Sequence, residues 1–118
     1  MSDITTVILA AGNSTRFKAS KSKLVYPLCG LPIVSHIFNI AKKISGKNIL
    51  VVSNEKNKEE LKLILNTSKL VVQKKQKGTA DAIEQVKKYV KSKNILILFG
   101  DTPLVEVKDI RKLVSKFK

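Results

Sequence analysis

Four runs of β-branched and apolar residues punctuate the chain: ITTVILA (4–10), NILVVS (48–53), KLVVQ (69–73) and NILILF (94–99). Each has the length and composition of a strand, and between them the apolar residues recur at helical spacing. After the first run, Ile33, Val34, Ile37, Phe38, Ala41 and Ile44 mark one helical face, with Pro32 suited to the first helical position and Gly46 to the end. EKNKEELKLIL (55–65) is expected to form a second helix on Leu61, Ile64 and Leu65. Gly78 and Thr79 introduce a third, with Thr79 as its N-cap and Ala82, Ile83, Val86 and Val90 as its apolar side. VEVKDIRKLVSKF (105–117) is the last. The nearly all-apolar NILILF is what a strand covered on both faces of a parallel sheet requires. Strands that alternate with helices in this way restrict the fold class to α/β with a mostly parallel sheet.

With 118 residues the chain holds one domain with a real core, and 43% hydrophobic content excludes a disordered segment. No apolar stretch approaches the ~20 residues that span a bilayer. The N-terminus lacks the basic region of a signal peptide, and the single cysteine, Cys29, can form no internal disulfide, so a cytoplasmic location is expected. The charge is unusual: 23 Lys and Arg against 9 Asp and Glu give +14. Such a field attracts phosphate-bearing partners, from nucleotides to RNA. The lysines are spread along the chain, however, and four Phe, two Tyr and no Trp offer little stacking surface for single-stranded nucleic acid.

In open α/β sheets ligands gather beyond the carboxyl ends of the strands, and three such positions carry chemistry. After the first strand, Ala10, Ala11 and Gly12 keep side chains clear for a close backbone approach. Arg16 can follow as a bidentate phosphate clamp and Lys23 as a point charge. The alternative there is a tight turn with solvated basic residues. Neither the P-loop pattern nor the dinucleotide glycine fingerprint is present, so a nucleotide would be held in another way. After the third strand, Gln73 offers an amide donor and acceptor to a base edge, and Gly78–Thr79 open a helix whose N-terminus favours anions. A capped loop would look the same. After the fourth strand, Asp101 places a carboxylate where it can hold a hard cation such as Mg²⁺, or simply begin a turn.

LAAGNSTRF with the later SK, then Q…GTADA, then FGDTPL, occur in an order and spacing that resemble the sugar-phosphate nucleotidyltransferases. Within that family the pattern is most similar to uridylyltransferases acting on N-acetylglucosamine 1-phosphate. The resemblance covers essentially the whole chain. It implies a Rossmann-like three-layer fold of the nucleotide-diphospho-sugar transferase type. It also implies transfer of a uridylyl group from UTP to the sugar 1-phosphate, with Mg²⁺ as cofactor and pyrophosphate released. Carried over by position, Leu9, Ala10, Ala11 and Gly12 would contact the nucleoside through the backbone. Arg16 and Lys23 would face the triphosphate, Gln73, Gly78 and Thr79 would recognise the base, Phe99 and Gly100 would line the site, and Asp101 would ligate the metal.

The chain departs from the family pattern at Ser14 for glycine, Ser22 for proline and Phe99 for tyrosine. The family's catalytic domain continues beyond its G-D-x-P-L helix, so residues 1–118 are expected to be its N-terminal half, truncated at the C-terminus. Two other readings follow: a non-catalytic remnant or a half completed by a separately encoded chain, and a basic RNA- or anion-binding protein. His36, the single histidine, and Cys29 have no neighbours in sequence that would make a zinc site or a nucleophile.

Overall fold

The computed structural model describes residues 4–11, 27–28, 30–65, 70–74, 78–100 and 106–117. The four apolar runs become β1 (Ile4–Leu9), β4 (Ile49–Ser53), β5 (Leu70–Val72) and β6 (Asn94–Phe99), joined in one parallel sheet of order β5-β4-β1-β6. A small antiparallel pair, β2 (Pro27–Leu28) and β3 (Leu31–Pro32), precedes α1 (Ile33–Ser45). The other helices are α2 (Lys58–Leu65), α3 (Thr79–Val86), which runs into a 3₁₀ turn at Lys87–Tyr89, and α4 (Val107–Phe117).

β1 occupies the centre because it is paired on both sides: Val7 stands beside Leu50 of β4 and Ile97 of β6, and Ile8 beside Val51 and Leu98. Alternation then sends its side chains to two separate cores. Ile4, Ile8 and Ala10 join Ile49, Val51 and Leu98 beneath Val34, Ile37, Phe38, Ala41 and Ile44 of α1, Leu61 of α2, and Ile110 and Val114 of α4. On the opposite face Val7, Ala11, Leu50 and Val52 pack against Ala82 and Val86 of α3. Helices therefore cover both faces, which gives the three-layer arrangement expected. The second core is the thinner one. Ile95 and Phe99 of the outer strand β6, which share the face of Val7, are 40% and 49% exposed.

The last helix begins at Val107 rather than 105, and the starts of the other three differ from the expectation for local reasons. Pro32 precedes α1, pairing with Pro27 in the β2–β3 ribbon, and Ile33 is the first helical residue. The residue before α3 is Gly78, at φ +94°, and Thr79 is the first residue within the helix rather than its cap. α2 starts at Lys58, since Asn54–Asn57 are held in a turn of their own. Gly46 does close α1, at φ +61°, with its N–H donating to Lys42 O at 2.9 Å. That backbone conformation favours glycine.

Three buried hydroxyl residues, Thr5, Thr6 and Ser45, lie at the amino end of the sheet. Ser45 Oγ lies 2.9 Å from Thr6 Oγ1 and 3.0 Å from Asn48 O. Thr5 Oγ1 meets Ser92 Oγ at 2.6 Å, and Ser92 donates to Asn94 O at 2.7 Å. No helix of the described residues is long and apolar enough to cross a membrane.

Candidate functional site

The strand order reverses direction at β1: the chain moves outward through β4 and β5, then returns to place β6 on β1's other side. A reversal of this kind opens a crevice at the carboxyl ends of the two strands. Here the ends of the strands are tied to one another. Gly100 N donates to Leu9 O at 3.0 Å, tying the end of β6 to the end of β1, and Ala10 N donates to Val52 O at 2.8 Å on the other side. Ala10 and Ala11 are buried at 2% and 4% exposure. The Ala10 N–H is thereby committed to the sheet, so any ligand contact at that residue uses another of its groups.

A second set of contacts comes from the loop after β4. Asn54 and Asn57 exchange hydrogen bonds, each backbone N–H donating to the other's Oδ1 at 2.9 and 2.8 Å. Their amide nitrogens then reach the chain leaving β1. Asn54 Nδ2 donates to Ala11 O at 3.0 Å, and Asn57 Nδ2 to Ala10 O at 2.8 Å. Neither residue stands out in the sequence, because SNEKNK looks like an ordinary polar loop running into a helix. The signal available was an asparagine three residues from another just before an amphipathic segment, a spacing suited to capping.

Gln73 follows β5 and is 3% exposed, with its backbone N–H donating to Ser53 O at 2.7 Å. Its Nε2 donates to Asp81 Oδ2 at 2.8 Å and to Gly78 O at 3.3 Å. A carboxylate and a carbonyl only accept, so the amide nitrogen must face them, and both of its hydrogens are spent. The sequence suggested an amide able to donate and accept; the structure narrows it to acceptance through Oε1. Gly78 and Thr79 are exposed at the start of α3, and Gly78 O also receives the Ala82 N–H at 3.2 Å.

The structure thus brings Leu9, Ala10, Ala11, Phe99 and Gly100 to the β1–β6 switch point, with Gln73, Gly78 and Thr79 following β5 at the same carboxyl edge. Gly12, Arg16, Lys23 and Asp101 lie outside the described residues. Among those described, no three His, Cys, Asp or Glu side chains gather into a group that could hold a metal ion.

A profile of the MobA-like NTP transferase domain matches residues 6–118. The chain belongs to that family. Among curated relatives, the bifunctional protein GlmU of Buchnera aphidicola subsp. Schizaphis graminum is 42% identical over 118 residues, 98% of this chain. The chain spans 26% of that relative's length. Among solved structures, a nucleotidyl transferase from Methanothermobacter superposes with a TM-score of 0.80 at 18% identity, over 98% of this chain and 58% of that one. A Mycobacterium tuberculosis H37Rv protein in complex with manganese does so with a TM-score of 0.77 at 19% identity, over 96% of this chain and 58% of that one. These two likenesses bear on the fold, and they agree with the nucleotide-diphospho-sugar transferase architecture.

Proposed function

We propose that the chain binds UTP with Mg²⁺ and serves uridylyl transfer to a sugar 1-phosphate, N-acetylglucosamine 1-phosphate by resemblance. The observation that carries this reading is the gathering of eight nucleotide-contact candidates at one end of the sheet in a chain 42% identical to a GlmU. The acceptor's phosphate oxygen would attack the α-phosphorus in line, and the bond to the bridging oxygen would break as pyrophosphate departs. No protein nucleophile is required, so positioning and charge neutralisation supply the catalysis. Arg16 and Lys23 would neutralise charge on the triphosphate. Asp101 follows Gly100, whose N–H is fixed to Leu9 O, and a carboxylate is the hard oxygen donor Mg²⁺ prefers. The manganese complex of a structural neighbour supports a divalent ion in this fold. When bound, such an ion would neutralise phosphate charge.

Titration calorimetry of the intact chain with UTP, with and without Mg²⁺, tests the reading. Saturable, Mg²⁺-dependent binding is expected, and its absence sinks the proposal. Release of pyrophosphate on adding the sugar 1-phosphate separates a transferase from a module that binds without turnover. An RNA-binding role instead requires steeply salt-dependent RNA affinity that survives Asp101→Ala.

The Gln73 geometry adds a sharper expectation. An amide limited to acceptance reads a base through an N–H, such as that at uracil N3. Methylation at N3 of UTP should therefore weaken binding about tenfold, the cost of a lost hydrogen bond with its acceptor left buried. Asp81→Ala frees Nε2 and should shrink that discrimination. Equal discrimination in the variant and the parent, by competition titration, would show that Asp81 plays no part.

A further inference from the structure

We infer that Asn54 and Asn57 act as positioning residues, a buried clamp that sets the path of the backbone leaving β1 and so orients the nucleotide-facing segment. The inference rests on the nucleotide reading for its ligand but not for its geometry. Both side chains are buried, at 8% and 3% exposure, and lie 43 and 47 positions from the residues they hold. Each amide oxygen is consumed in accepting the other's backbone N–H, which leaves each amide nitrogen for the chain leaving β1. Those nitrogens take two successive carbonyls, Ala10 O and Ala11 O, just beyond the end of β1. The Ala10 N–H is meanwhile held by Val52 O. Backbone at this point is therefore fixed from the sheet on one side and from the turn on the other.

The residue type matters. An amide offers an acceptor to the neighbouring N–H and, from a separate atom, a donor to the carbonyl; an ionised aspartate of the same shape keeps the first and loses the second. A turn needed only to start α2 could use aspartate equally well, since that role calls on acceptors alone. The backbone part of the turn is independent of the amide nitrogens: Asn54 O accepts from Lys58 N at 3.1 Å, and Asn57 O from Leu61 N at 3.0 Å.

Asn57→Asp and Asn54→Asp in the full chain separate the two roles. Each should weaken UTP binding in Mg²⁺ about tenfold at a temperature where the variant remains fully folded. Ser45→Ala serves as the control. It removes a buried hydroxyl at the opposite end of the sheet and should leave the affinity at the parent value despite its cost in stability. Without any ligand, amide correlation spectra of Asn57→Asp should show displaced or doubled signals for Ala10 and Ala11, with Ile4 and Thr5 unmoved. Parent-like affinity in the aspartate variants, or unchanged Ala10 and Ala11 signals, overturns the clamp. A parent that binds no UTP refutes the nucleotide reading instead, and the ligand-free spectra still decide the clamp.

Discussion

Arg16→Ala and Asp101→Ala are each expected to weaken UTP binding by about 10- to 100-fold, in ways that differ. A charge-assisted hydrogen bond contributes roughly 1.5–3 kcal/mol, and a tenfold change in affinity corresponds to about 1.4 kcal/mol. Arg16 would grip phosphate oxygens directly, so its loss should weaken binding whether or not Mg²⁺ is present. Asp101 would act through the cation, so its loss should erase the difference between titrations with and without Mg²⁺. Lys23→Ala should be milder than Arg16→Ala, because an ammonium is a point charge without the guanidinium fork. Should the chain turn over, removal of Arg16 is expected to cut the rate by about 10²–10³, the usual toll for a lost electrostatic contact to developing charge. Calorimetry on the three variants checks the pattern. Parent-like Mg²⁺ dependence in Asp101→Ala would remove that residue from the metal site.

The largest effect on stability is expected at Ile8. It is fully buried in the central strand, flanked by Val51 and Leu98 and covered by the α1 face. Ile8→Ala deletes three carbons' worth of packing and leaves a cavity that a strand paired on both sides cannot close by shifting. The expected cost is about 3–4 kcal/mol, against a total near 5–15 kcal/mol for a domain of this kind. Leu63→Ala is the matched comparison, since Leu63 is 83% exposed on α2 and its truncation should stay within about 0.5 kcal/mol. Urea denaturation with an unchanged slope would confirm that the folded state, not the unfolded ensemble, carries the difference. A loss at Ile8 no greater than that at Leu63 would contradict the assigned core.

The sheet was legible because its strands announce themselves twice, by β-branched composition and by intervening segments of another period. ITTVILA and NILILF sit in neighbouring central and outer strands despite lying 90 positions apart, as the Ile4–Asn94 register records. What composition could not reveal was β2–β3. Two-residue strands carry no period, and prolines at positions 27 and 32 argue against pairing in sequence even though they face one another in the ribbon. α3 begins one residue before the start that a Thr79 cap implies, for a related reason. Threonine is a good cap by side-chain chemistry, whereas the structure uses a glycine whose positive φ turns the chain into the helix.

The site divides in the same way. That the described candidates share one edge of the sheet could be read from the strand ends, since that needs only the order of elements. The site's restraints could not. The bond from Asn57 to Ala10, or from Gln73 to Asp81, depends on which loops the fold brings together, and each amide looks identical in sequence whether it is free or fully engaged.

The hydroxyl pairs at the other end of the sheet have a consequence for how this protein can change. Thr5 and Thr6 are consecutive residues of β1, one meeting Ser92 and the other Ser45. Both contacts lie at the strand's beginning, while the backbone near the crevice is held by Asn54, Asn57 and Gly100. Matched replacement of a buried hydroxyl pair by apolar groups of the same shape can be nearly neutral. Here, however, each serine also donates to a backbone carbonyl, Ser45 to Asn48 O and Ser92 to Asn94 O, so such a swap would take a donor from each, and β1 is pinned against a slip of register at both of its poles.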